Sequence, residues 1–379
     1  MLPQTQTAVV QSRDGFSTSL PLVVSHSVTV PHLPSAQHVL VRVLAVALNP
    51  FDHKMVQHFP MPGNTVGCDF CGVIESVGSL PIIMPDLNAD VNAANTPTHP
   101  PGTRVCGGVF PYTTDNARNG AFAQWLVIDS RLLLRVPDCW SDLQGAALGG
   151  VGWGTLGLAF FDPEALALQG RPSKPTEKKE SVLVYGGATA TGTMACQLLK
   201  LAGYAPIAVT SSMSAPLAIK YGAVGTAAYT SPTCSETIRS LVTGATLRYA
   251  LDCITDAESA AICFGAMSRA GGRYACLEGF HEAWRTRRAI KVKEVMGYEI
   301  LGITVNLGDS VYTRAASSDL FEMGKQWVRE MQSLLDAGLL VTHPIREVPG
   351  QWQGIIEGLA ELQNGTVRGE KLVVSLSDL

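Results

Sequence analysis

Ser181-Val182-Leu183-Val184-Tyr185-Gly186-Gly187-Ala188-Thr189-Ala190-Thr191-Gly192 is the stretch whose reading decides the fold. Val182 to Tyr185 form a strand-like apolar run that breaks on the pair Gly186-Gly187. Gly192 opens an amphipathic segment, Thr193 to Leu201, which stops at Gly203. Apolar run, glycine turn and helical period together predict strand, tight turn, helix. A turn of this kind leaves backbone N–H groups directed out of the helix N-terminus. With the helix dipole behind them, those donors bind a pyrophosphate. The stretch is therefore expected to hold a dinucleotide.

The spacing Gly187-x-Thr189-x-x-Gly192 departs from the G-x-G-x-x-G fingerprint at its middle position, where Thr189 stands. Alone, it also fits a ligand-free strand–helix connection. The context argues further. A second apolar run, Pro206-Ile207-Ala208-Val209, follows at the distance a strand–helix–strand unit requires, and it ends in Thr210-Ser211-Ser212. A carboxylate there would take the ribose 2′-hydroxyl of NAD. Hydroxyls there, with Lys220 and Tyr221 nearby, suit a 2′-phosphate, so NADPH is the expected cofactor.

A chain of 379 residues exceeds one ordinary core and implies two domains. Hydrophobic residues make up 46% of it, enough for large cores. No apolar run reaches about 18 residues, so no membrane span is expected. The start, Met1 to Gln6, has neither a basic nor an apolar signal region. Nine scattered cysteines fit free thiols in a reducing compartment, the cytoplasm. A net charge of −4 argues against nucleic acid as a partner.

Outward from the central stretch, residues 7 to 48 alternate as short strands with Pro and Ser between them, a barrel-like pattern. Val66 to Ile74, Thr103 to Val109 and Ala121 to Ile128 read as further strands. Residues 79–102, rich in Pro, Asn and Thr, read as a long loop. Gln144 to about Phe161 is helical with a glycine-rich break. After the second nucleotide-domain strand, Tyr249 to Ile254, Gly272 to Leu277 and Glu299 to Val305 read as strands and Glu258 to Met267 as a helix. This alternation implies a parallel, doubly wound α/β sheet. A longer helix spans Asp319 to Leu335. Glu370 to Leu376 is a strand that completes the N-terminal β domain.

These segments resemble the medium-chain dehydrogenase/reductase superfamily. The resemblance is carried by Arg42 to Asp52, Gly67 to Gly72, the glycine turn, Ala270 to Arg273 and Gly369 to Val374, in that order. It implies a GroES-like β domain (1–164, completed by 313–379) around a Rossmann domain (165–312). The segments Val182 to Thr191, Leu247 to Thr255 and Arg269 to Gly272 are most similar to the fungal trans-acting enoyl reductases, which serve highly reducing polyketide synthases. That resemblance implies NADPH-dependent reduction of an α,β double bond on an acyl carrier domain, in a synthase or a synthase–nonribosomal peptide synthetase hybrid. It also implies a monomer. A stand-alone quinone or enoyl-CoA reductase, and a non-catalytic NADPH-binding partner, remain open alternatives.

By the same resemblance, Phe51, Asp52, His53 and Lys54 line the nicotinamide side. Ala188, Thr189, Ala190, Thr191, Ser211, Ser212, Met213, Ser214, Tyr229, Leu277, Glu278, Val367 and Arg368 are implied as further NADPH contacts. Thr155, Leu156, Gly157, Leu158, Ala159, Phe160, Phe161 and Asp162 match an acyl-pocket wall, joined by Met296, Gly297 and Tyr298. Lys54 is the first candidate catalytic residue, as a donor to a developing enolate or to the cofactor, and Thr155 is the second. Zinc-dependent members use Cys and His where this chain has Asn49 to Asp52 and Cys68-Asp69. Cys68-x-x-Cys71 lacks the second Cys pair of a structural site. No metal is expected. Arg285, Arg287, Arg288, Lys291 and Lys293 form a basic cluster that could steer an acidic carrier domain.

Overall fold

Strand β3 (His38–Ala47) is buried along most of its length because it is paired on three sides. The computed structural model describes residues 3–13, 20–78, 99–114, 117–244 and 246–377. Most of the loop expected at 79–102 lies outside them. Before β3 come β1 (Thr5–Gln11) and β2 (Leu22–Thr29), an antiparallel pair. Helix α1 (Pro50–His58) follows, then β4 (Asp69–Val77), β5 (Arg104–Gly108), β6 (Trp125–Asp129) and β7 (Leu134–Arg135). Two helices, α2 (Asp142–Leu148) and α3 (Val151–Phe161), lead to the second half of the molecule.

That half alternates strand and helix. Its elements are β8 (Ser181–Tyr185), α4 (Ala190–Leu201), β9 (Ala205–Thr210), α5 (Ala215–Lys220), β10 (Gly225–Ala228) and α6 (Cys234–Leu241). Then come β11 (Tyr249–Asp252), α7 (Ala257–Ala266), β12 (Gly272–Cys276) and β13 (Ile290–Glu294). The six strands are all parallel, in the order β10-β9-β8-β11-β12-β13. This is the doubly wound α/β arrangement, with its switch point between β8 and β11. The chain ends with α8 (Ser318–Asp336), β14 (Ile345–Glu347), α9 (Gln351–Gln363) and β15 (Lys371–Ser375). Strand β15 runs antiparallel to β3, pairing Val374 with Val46, so the end of the chain joins the sheet built by its start.

One expected strand is corrected. Glu299 to Val305 is not in the sheet. Residues Gly297–Leu301 form a 3-10 turn that ends at Gly302, with φ of +67°. The sixth strand is instead β13, inside the basic cluster. Ile290 is buried and Lys291 exposed, so the alternating charges belong to an edge strand. Lysines on such an edge oppose pairing with another chain.

The α2–α3 junction explains the glycine run Gly149 to Gly154. Gly149 has φ of +49°, and a Cβ there would lie 2.3 Å from Asp69 Oδ1. The tight approach lets the Asp69 carboxylate accept from the amides of Gly150 (2.8 Å) and Val151 (2.9 Å), capping α3. Helix α3 is apolar on every side and therefore buried. Trp327 of α8 packs on it and donates from Nε1 to the Trp153 carbonyl at 2.8 Å.

His343, in the segment leading from α8 to β14, docks on α4. It is 6% exposed, and its Nδ1 lies 2.9 Å from Thr193 Oγ1. Burial, helped by the Lys371 charge, pushes its pKa down to about 4. The folded protein thus holds His343 neutral where the unfolded chain would protonate it.

Two stability outcomes follow from these contacts. Gly149→Ala should lose roughly 3 kcal/mol or more, whereas Gly152→Ala, which meets open space, should gain up to about 1 kcal/mol; urea unfolding measures both. Stability carried by neutral His343 is present above its unfolded pKa of 6.5 and lost as pH falls toward about 4. That amounts to about 3 kcal/mol. His343→Gln should therefore show a shallower loss between neutral pH and about pH 4.5 in the same unfolding assay.

Candidate functional site

The turn between β8 and α4 sits at the switch point. A Cβ on Gly192 would lie 2.2 Å from the Gly186 carbonyl, so only glycine lets helix and turn close. Thr189 caps α4: its Oγ1 accepts from Gly192 N–H at 3.0 Å and donates to the Gly186 carbonyl at 2.8 Å. The departure from the glycine fingerprint thus supplies the helix cap. The first intrahelical bond runs from Thr193 N–H to the Thr189 carbonyl. The amides of Ala190 and Thr191 precede it and point out of the helix end, suited to a phosphate.

Beyond β9, the Ser211 side chain accepts from Ser214 N–H at 3.2 Å and contacts its hydroxyl at 3.0 Å. Ser212 and Met213 are exposed, and Tyr229 is partly so. Val367 and the exposed Arg368 precede Gly369, which approaches Leu217 of α5. The structure therefore gathers 188–191, 211–214 and 367–368 around α4 and α5. The three serines and Met213 at 211–214 carry no negative charge, which fits a phosphorylated ribose.

Helix α1 brings the other half of the site. Asn49 caps it, its backbone N–H donating to Asp52 Oδ2 at 2.9 Å. Asp52 is fully buried, and Tyr112 donates to its Oδ1 and backbone carbonyl, each at 3.2 Å. Burial raises the Asp52 carboxyl to about 6, opposed by hydrogen bonds from Cys68 and the Asn49 backbone. Burial likewise pushes the Cys68 and Tyr298 groups well up. Phe51 packs between Tyr112, edge-on at 5.7 Å, and Tyr298, tilted at 5.1 Å. His53 is buried and contacts Gln57 at 3.2 Å.

Lys54 reaches across from α1 to Glu278, just past β12, with Nζ 2.5 Å from Oε1. The two line a cavity of about 420 Å³. Phe51, Met55, His58 and Phe59 form its α1 wall. Leu277, Val295 and Met296, at the carboxyl ends of β12 and β13, form the opposite one. Leu307, Tyr312, Arg314 and Glu294 complete it. The lining is mostly apolar, with charged groups at a few points.

The implied acyl-pocket wall is placed elsewhere. Leu156, Leu158, Ala159 and Phe160 are at most 2% exposed inside α3, and a Cβ on Gly157 would meet the Trp327 ring. Phe161 packs under Arg171, and Asp162 accepts from Glu164 N–H. Met296 alone of the implied substrate residues lines the cavity. Thr155 and Gly297 meet, however: Thr155 Oγ1 would lie 2.1 Å from a Cβ at 297. Thr155 thus sits behind the turn that carries Met296. Sequence reasoning missed Tyr312, Arg314 and Glu294. Their only local signal was an aromatic and a cation, Tyr312-x-Arg314, in a small, polar stretch.

The metal-ligand positions are engaged otherwise. Asp69 Oδ2 accepts from Asn49 Nδ2 at 3.0 Å and pairs with Lys371 Nζ at 3.3 Å, and Lys371 also reaches Asn49 Oδ1. Cys68 and Cys71 are buried, and their thiols are pushed up by burial. Among the described residues no three His, Cys, Asp or Glu side chains are grouped to hold a metal ion. The basic cluster is partly spent: Arg285 pairs with Glu282, Lys293 with Glu164, and Arg287 donates to the Met267 and Ser268 carbonyls. Arg288 and Lys291 stay exposed.

Comparison with known proteins agrees with this geometry. Residues 35–138 match the alcohol dehydrogenase GroES-like domain. Trans-enoyl reductase calK of Penicillium decumbens is 55% identical over 98% of both chains. Trans-enoyl reductase sthE of Phaeosphaeria nodorum is 52% identical over 100% of this chain and 99% of its own. A solved structure, a putative zinc-dependent alcohol dehydrogenase from Rhizobium etli, shares the fold with a TM-score of 0.74 at 21% identity, covering 98% of each chain. With a doubly wound sheet, a GroES-like partner and full-length identity above one half, the chain belongs to the trans-enoyl reductase family of the medium-chain dehydrogenase/reductases.

Proposed function

We propose that this chain reduces the α,β double bond of an acyl thioester carried by the acyl carrier domain of a polyketide synthase, using NADPH and no metal. The observation that carries the reading is the Lys54–Glu278 pair on the wall of an apolar cavity, beside the carboxyl ends of the parallel strands. Family membership supports the reaction and a synthase partner.

NADPH, when bound, supplies the hydride that the β-carbon receives. The amides at 190 and 191 would hold its pyrophosphate, and Ser211, Ser214 and Arg368 would hold its 2′-phosphate. Lys54 Nζ donates a hydrogen bond to the thioester oxygen as negative charge develops there, and a proton then adds to the α-carbon to complete the reduction. Thr155 supports the turn that presents Met296. The apolar lining takes the acyl chain and keeps water from the reacting carbons. The absence of metal is supported by the donor chemistry: Asp69 is saturated by two amides, an Asn and a Lys, and the Cys68 thiol is held protonated by burial.

Purified protein, NADPH and α,β-unsaturated pantetheine thioesters test the proposal by loss of NADPH absorbance. Oxidation with NADPH but at least about tenfold slower with NADH is expected; no oxidation with either overturns the reading. Lys54→Ala should lower kcat by about a hundredfold or more while leaving the NADPH dissociation constant within about threefold. Ser211→Asp should bring a carboxylate to the 2′-phosphate and cut the preference for NADPH over NADH by about a hundredfold in kcat/KM.

A further inference from the structure

The turn that carries Glu278 is tied down by side chains distant in sequence. Gly279 N–H donates to Tyr312 Oη at 2.9 Å, and Phe280 N–H donates to Glu294 Oε1 at 2.7 Å. Tyr312 and Glu278 line the same cavity. Tyr312 therefore grips the backbone of this turn next to the acid.

Tyr312 is itself rigidly held. Val305 and Arg314 exchange both backbone hydrogen bonds, at 2.9 and 2.8 Å, closing the segment between them. Leu307 N–H donates to Thr313 Oγ1 at 3.0 Å. The Tyr312 ring meets Phe59, at the end of α1, edge-on at 6.2 Å. The residue thus touches the α1 side of the cavity with its ring and the β12 side with its hydroxyl.

Lys54 and Glu278 are each partly open to solvent, with side chains 43% and 34% exposed. A pair so placed is weak on its own and would sample many geometries. Efficient stabilisation of a developing negative charge needs a donor already in position. A hydroxyl that holds the amide next to Glu278 supplies that order. We propose that Tyr312 is a positioning residue for the reaction, its hydroxyl fixing the turn that carries Glu278 and, through Glu278, the place of Lys54 Nζ. The inference rests on the enoyl reductase reading above and adds a residue to it.

Tyr312→Phe removes the hydroxyl and keeps the ring against Phe59. Steady-state kinetics on an enoyl pantetheine thioester compare wild type, Tyr312→Phe, Glu278→Gln and the double variant. Tyr312→Phe should lower kcat by about tenfold and leave the NADPH dissociation constant within about twofold. In the Glu278→Gln background the same change should cost less than about twofold, because its route is already cut. Full kcat in Tyr312→Phe, or an equal loss in both backgrounds, overturns the assignment. Amide hydrogen exchange gives a readout independent of turnover. Gly279 should exchange at least about tenfold faster in Tyr312→Phe, while the β12 amides stay as protected as in wild type. Unchanged Gly279 exchange overturns the proposal even if no substrate is turned over. Absent turnover in wild type with faster Gly279 exchange would instead fault the enoyl reductase reading.

Discussion

The carboxylate of Asp69 is the joint on which the molecule turns. One oxygen caps α3 through the amides of Gly150 and Val151; the other meets Asn49 and Lys371. Four parts of the chain converge there: the start of α1, the start of β4, the start of α3 and the start of β15. A buried carboxylate is tolerated because its oxygens are filled by hydrogen bonds and a cation. Removing Lys371 would leave the carboxylate without its counter-charge in the interior. Gly149 is the steric condition for the arrangement, since any side chain there would displace the carboxylate.

This joint also sets the site. Asn49 caps α1, so the direction in which Phe51, Lys54 and Met55 project depends on where Asn49 is held. Helix α3, anchored at its first turn, carries Thr155 to the back of Gly297 and so supports Met296 in the cavity wall. Lys54 and Glu278, which come from the two sheets' sides, then face each other across the opening. The same positions in zinc-dependent relatives of the superfamily resemblance would supply metal ligands. Here an ammonium and an amide occupy the carboxylate.

The doubly wound sheet was legible because its signals are local. The run from Ser181 to Gly192 contains strand, turn and helix start within twelve residues, and the structure adds that Thr189, the departure from the glycine fingerprint, caps the helix. The last strand, Ile290–Glu294, was misread because alternating lysines on an edge resemble a solvated charge run, whereas Glu299 to Val305 looked apolar enough for a strand. Glycines at 297 and 302 bend that segment into a turn. The resemblance implied a pocket wall along α3; in the structure this helix, apolar on all sides, packs in the interior against Trp327.

Sequence alone determined the fold class, the strand–turn–helix at 181–192 and the absence of an acid after β9. Each rests on residues adjacent in the chain, where backbone geometry and hydrophobic period act over a few positions. Tertiary structure alone decided that Lys54 meets Glu278, 224 positions away, that Tyr312 grips the Glu278 turn, and that Asp69 is occupied by Lys371. Those contacts join segments whose spacing along the chain carries no information about distance. Only the packing of the two sheets against α3 brings them together.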